Sequence, residues 1–138
     1  WAFFQSIYGY MAGSDKDAAD YILSQFDLQT DIKDINPDKI NRAGIKGFLN
    51  VAKSEYSEIE ENFGEDKAAI VSMEGALFIQ LVELDLIRLM GDKDYAGLKE
   101  NAQALIAAVK SGDKAKTEKL LQDVNGVLDQ VIAKVSAA

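Results

Sequence analysis

Apolar residues at helical spacing, sustained over most of the chain, limit this sequence more than any other feature. Ile45, Leu49, Ala52, Tyr56, Ile59 and Phe63 are separated by four, three, four, three and four residues. At 3.6 residues per turn that spacing draws one stripe along one side of a helix. Tyr95, Leu98, Ala102, Leu105 and Val109 draw a second stripe, and Leu121, Val124, Leu128, Val131 and Val135 a third. Between the first two, Asp66 to Met90 is apolar on nearly every side. No stretch alternates polar and apolar residues as a strand does, and no internal repeat occurs.

Punctuation agrees with the periodicity. In Asn36-Pro37-Asp38, Asn suits a helix cap, Pro suits the first helical position, and Asp suits the positive end of the helix. A long helix is expected from there to Phe63, ended by Gly64. The next runs from Asp66 to Met90 and closes at Gly91. The third covers 94–110. Ser111-Gly112-Asp113 is a compact break that caps a fourth helix reaching Val135. Short connections between long helices make sequential neighbours antiparallel, so the expected fold is all-α: an up-and-down four-helix bundle over 36–138. Residues 1–35 form a helical cap on it, with one or two short helices. In that cap Trp1, Phe4, Tyr8 and Met11 share a face, Gly13 breaks the first helix, and Ser14 caps the second. The loop from Gln29 to Asn36 carries Ile32 and Ile35, which should pin it to the bundle. The 138 residues, 48% of them apolar, suit one domain with one core.

Composition removes many functions. There is no His and no Cys. That excludes disulfides, thiolate nucleophiles, thiolate zinc sites, the Ser-His-Asp triad and the Glu-x-x-His motif of di-iron bundles. Lys and Arg total 15 against 23 Asp and Glu, a formal charge of −8. So acidic a chain, with its lysines dispersed, is a poor partner for nucleic acid. The apolar run from Ala68 to Met90 contains Glu74, Glu83, Asp85 and Arg88, too many charges for a membrane span. Absence of Cys suits an exported bacterial protein, as well as many cytosolic ones. The chain starts at Trp1 rather than Met, as a processed protein or a cut domain does, and it contains no signal peptide. The expectation is therefore export, periplasmic or secreted.

Besides the N-terminal aromatics, four groups of polar residues are candidates for chemistry or binding. Asp27, Asp31, Asp34, Asn36 and Asp38 crowd one loop, but match no calcium-loop spacing and suit capping. Asp92-Lys93-Asp94 opens like a calcium loop and then fails, with Ala96 and Gln103 where oxygen ligands belong; it reads as a helix start. Glu55, Glu58, Glu60 and Glu61 read as the solvated outer face of a helix. The central helix is more informative. On its wheel Glu74, Asp85 and Arg88 share one stripe, while Ser72, Gln80 and Glu83 fall opposite. An Asp85–Arg88 ion pair is expected. If one stripe faces water the other points inward, and a buried carboxylate needs a partner or a raised pKa. Neighbours should cover most of this helix, with Gly75 admitting one of them closely.

Tyr56-Ser57-Glu58-Ile59-Glu60 together with Glu74-Gly75-Ala76-Leu77-Phe78 resembles stretches of imelysin-like helical proteins, exported proteins linked to iron uptake. That family's motif has a His three residues before the Glu matched by Glu74; here the position is Val71. The residues themselves point to a non-catalytic binding or interaction module that needs no cofactor. It would engage a protein partner or a small ligand through Trp1, Phe4, Tyr8, Glu74 and Glu83. The alternative is a carboxylate-based cation-binding protein linked to metal uptake, with Glu74 or Glu83 as the core ligand.

Overall fold

The computed structural model describes residues 2–25 and 36–137, with side chains from residue 8 onward in the first segment. The described residues are all-helical, without strands. Seven helices follow in order: α1 (Ala2–Ser14), α2 (Lys16–Gln25), α3 (Pro37–Glu61), α4 (Asp66–Leu81), α5 (Glu83–Met90), α6 (Asp92–Ser111) and α7 (Lys114–Ser136).

The expected start and stop signals operate at the two longest helices. Asn36 caps α3, its side chain accepting from the Lys39 N–H at 3.2 Å, with Pro37 in the first turn. Asp113 caps α7 in the same way through the Lys116 N–H at 3.1 Å. Gly112, before it, takes the left-handed conformation that ends α6. The sequence Asp92-Lys93-Asp94 opens α6 as a helix start, two residues earlier than expected.

Three other boundaries differ from expectation. α1 runs through Gly13 to Ser14, and Asp15 rather than Ser14 supplies the cap of α2, accepting from the Ala18 N–H at 3.0 Å. α3 ends at Glu61, where the Asn62 side chain donates to the Glu58 carbonyl at 2.7 Å and closes the last turn before Phe63. The long central helix is two helices. Val82 leaves helical geometry (φ −110°, ψ 22°), and its N–H turns to the Ile79 carbonyl in a tighter three-residue closure. Neither Pro nor Gly marks this kink, so the sequence carries no local sign of it.

The main core draws on α3 to α7. α3 lies against α4 on one side and α7 on the other, and α6 also packs against both α4 and α7. Leu49, Tyr56 and Ile59 from α3, Ile79 from α4, Leu86 from α5, Leu98 and Leu105 from α6, and Val124 and Leu128 from α7 are buried together. α5 turns onto α6 and α7. A second, smaller cluster of Met11, Ala18, Ala19, Ile22 and Val51 holds α1 and α2 to α3. Its polar clasp is Asp15. That carboxylate also accepts from Asn50 Nδ2 at 2.8 Å and lies 3.6 Å from Lys46 Nζ. A mostly buried carboxylate is thereby satisfied.

Two glycines let neighbours close in. A Cβ at Gly47 would overlap the Met11 side chain, and one at Gly75 would overlap the Tyr56 ring. Gly75 is therefore the seat of a buried aromatic from α3, the close approach expected of it. The four residues that α4 turns inward with it are Ala68, Val71, Ser72 and Ile79, mostly small. Among the described residues, no helix is long and apolar enough to cross a membrane.

Candidate functional site: the α3–α4 edge

The inward face of α4 mixes the small Ala68, Ser72 and Gly75 with Val71 and Ile79, while several of its large apolar side chains point out. Ile70, Met73, Leu77 and Leu81 are 42 to 52% exposed, and Leu84, just past the kink, is 74% exposed. Spaced three, four, four and three apart, they form one unbroken stripe on the outer side of α4 and α5. Neighbours cover most residues of 66–90, as expected, yet one side of the helix stays open. Its apolar character is nearly uniform around the wheel, so periodicity alone gave no sign of which side would face water. Small residues let α4 sit closest to α3, and that choice sends the large ones outward. Single exposed leucines are ordinary, whereas a continuous row of five is the kind of patch that marks a contact surface.

Beside this stripe lies an unusual carboxyl pair. Glu74, half-buried on α4, meets Glu55, half-buried on α3. Two carboxylates in contact repel each other, which favours one proton between them. Burial, then the Glu74 contact, then the nearby Glu58 push the Glu55 carboxyl up to about 7, with Lys67 opposing. Lys67 is held 3.0 Å from Glu58 in an ion pair that also bridges α3 and α4. Glu60 and Glu61 are exposed, as expected for an outer face, but Glu55 is not on that face. It stands four residues before buried Ile59, which brings it to the flank of the α3 stripe and against α4. That relation was present in the sequence. What was missing was the identity of the facing helix edge.

The other expected site residues are scattered. Glu83 faces α6: it is 3.6 Å from Lys99 Nζ and lies beside Tyr95. Burial and the neighbouring Glu83 carboxylate push the Tyr95 phenol up to about 12. Asp85 and Arg88 form the expected pair at 3.7 Å, and Asp85 also accepts from Asn41 Nδ2 at 3.0 Å. Ser72 is buried and donates to the Ala69 carbonyl at 2.7 Å, while Gln80 is exposed. The two polar sides traced through 66–90 persist across the kink: Glu74 and Asp85 meet Glu55 and Asn41 of α3, while Gln80 and Glu83 lie toward Tyr95 and Lys99 of α6. Tyr8 is half-buried and donates to Asp20 Oδ1 at 2.6 Å, an internal link between α1 and α2. Phe4 belongs to α1, but its side chain lies outside the described residues, as do Trp1, the 26–35 loop with Asp27, Asp31 and Asp34, and the pinning residues Ile32 and Ile35.

A shallow groove of about 630 Å³ runs between Leu89 and Met90 of α5, Leu98 of α6 and Val131 of α7, with Lys93, Asp94 and Lys134 at its rim. In the core, the Tyr56 hydroxyl and Asn125 Oδ1 are buried without a hydrogen-bond partner. Among the described residues, no group of three carboxylates is placed to hold a metal ion.

No protein-family model, curated protein or solved structure matches the chain. The imelysin-like resemblance therefore stands on segments 56–60 and 74–78 alone. The fold does set these two segments side by side on α3 and α4, where Tyr56 fills the space over Gly75.

Proposed function

We propose that this chain is a non-catalytic helical interaction module whose contact surface is the outer side of α4 and α5. The observation that carries this reading is the unbroken exposed row Ile70, Met73, Leu77, Leu81 and Leu84. Helix faces of this kind receive an amphipathic helix from a protein partner. The lack of His and Cys favours a role without chemistry, and it also suits export. An up-and-down four-helix bundle, formed by α3, α4 with α5, α6 and α7, is part of the same proposal. It is supported by cross-helix pairs such as Glu58 with Lys67 and Phe48 with Phe78, which match the start of one helix to the end of the next.

A photo-crosslinking residue in place of Leu77, compared with one in place of exposed Asp123 on α7, tests the reading in cells that express the chain. Adducts at position 77 and none at 123 are expected. No protein adduct at position 77 would refute it.

The competing reading is a carboxylate-based cation-binding protein with Glu74 as ligand. It is favoured by one observation, the meeting of Glu55 and Glu74. Two carboxylates make a sparse set for a hard cation, which takes six or more oxygens and would have to draw the rest from water.

A further inference from the structure

We propose that the α4–α5 face binds a second copy of this chain, antiparallel, about a two-fold axis at Leu77. The inference rests on the interaction reading above and names its partner. Three features of the face lead to it.

The first is spacing. Ile70, Met73, Leu77 and Leu84 follow the three-four-seven interval of a helix–helix seam, with Leu81 filling its flank. A two-fold axis at Leu77 sets that side chain against its own copy. Met73 then meets the partner's Leu81, and Ile70 the partner's Leu84. The apolar set maps onto itself, as an isologous contact requires.

The second is charge. Asp66 and Arg88 stand eleven residues before and eleven after Leu77, at opposite ends of the stripe. Asp66 is exposed and has no ion-pair partner among the described residues. The Arg88 side chain is 76% exposed, with Asp85 3.7 Å away. Leu84 and Arg88 are four residues apart on α5, so they share a side of it. Antiparallel pairing brings Asp66 of each copy toward Arg88 of the other. Parallel pairing would set Asp66 against Asp66 and Glu74 against Glu74, on a chain already at −8. The charge arrangement thus selects one orientation.

The third is area. Five residues at these exposures present on the order of 500 Å² of apolar surface, toward the upper end of what the largest patch on a monomer presents. Two such faces bury on the order of 1,000 Å², the threshold for a specific interface, before the flanking Lys67, Glu74 and Gln80 are counted.

The test is sedimentation equilibrium of the full chain at neutral pH, from about 1 to about 200 μM, which brackets micromolar affinity. A monomer–dimer equilibrium is expected. Leu77→Lys, at a half-exposed position, should keep the helical spectrum and raise the dissociation constant by at least about 100-fold, because both copies lose the central contact. Since the chain has no Cys, Leu77→Cys provides a second readout: mild oxidation should yield a disulfide-linked dimer, while Asp123→Cys should not. Asp66→Arg should weaken the dimer, and Asp66→Arg with Arg88→Asp should restore it. A monomer at every concentration overturns the proposal, even if vesicles bind the stripe, and so does a dimer indifferent to Leu77→Lys. If the chain stays monomeric while a different protein crosslinks at position 77, the second copy is refuted and the interaction module stands. If neither contact is seen, both fall.

Discussion

Replacing Glu55 by Gln should change how stability depends on pH, and the sign follows from the structure. Folded Glu55 keeps its proton up to about 7, whereas an unfolded glutamate releases it near 4.5. A raised carboxyl pKa stabilises the folded state below the unfolded value, and the benefit is lost as pH climbs through the folded value. The pair's contribution should therefore fall between about 4.5 and about 7 and stay flat above that. Sealed from water, a change of this size would be worth about 3 kcal/mol. Both residues are half-exposed, and solvent screening reduces the effect to about 1 kcal/mol. A Gln amide donates to Glu74 at every pH and adds no charge. Glu55→Gln should thus match the parent near pH 5 and exceed it by about 1 kcal/mol near pH 8. Urea unfolding followed by far-UV circular dichroism reads both values. The difference between variant and parent is the informative quantity, because the pH dependence of every other group is common to both proteins. An equal difference at both pH values would refute a shared proton between Glu55 and Glu74.

Gly75→Ala forces a methyl group into the Tyr56 ring, so urea unfolding should show a loss of about 1–3 kcal/mol, with more for Gly75→Leu; a neutral result would mean the ring is not seated there. Melting curves of the parent and of Glu74→Gln should be the same with and without added calcium, manganese or iron, and a shift confined to the parent would instead establish the cation-binding reading. Double-stranded DNA should bind only weakly at physiological salt, since the formal charge of −8 opposes it; a sub-micromolar, salt-sensitive affinity would contradict the charge argument.

Much of the helical layout could be read from the sequence because the deciding interactions are local. A cap such as Asn36 reaches only to Lys39, and the stripe of α3 from Ile45 to Ile59 records burial directly. The kink at Val82 was not legible for the opposite reason. It follows from where α5 must go, onto α6 and α7, and that is a tertiary demand with no Pro or Gly to announce it. The outward face of α4 was hidden in a related way. When both sides of a helix are apolar, periodicity is silent, and residue size decides: Ala68, Ser72 and Gly75 permit close packing where Ile70, Met73 and Leu77 do not. Of the candidate site, Glu74 was visible as a charge in an apolar helix. Its partner was not, because the pairing of α3 with α4 had first to bring residue 55 opposite residue 74.

Tyr56 is nearly fully buried, its ring lies over Gly75, and its hydroxyl has no hydrogen-bond partner. Burial pushes the phenol well above its ordinary range, so it stays neutral. An unpaired buried hydroxyl costs about 1–3 kcal/mol of desolvation that the ring's packing must offset. Tyr56→Phe keeps the ring and removes that cost. The variant should be at least as stable as the parent, with an expected gain of about 1 kcal/mol in urea unfolding. Tyr56→Leu separates the two contributions, since it removes the hydroxyl and the ring together. It leaves the space above Gly75 unfilled and should lose several kcal/mol, in the range for large-to-small changes in a core. A loss of more than about 1 kcal/mol in Tyr56→Phe itself would show that the hydroxyl is bonded in solution, and Asn125 Oδ1, the other unpaired polar atom of the core, would be the first acceptor to examine.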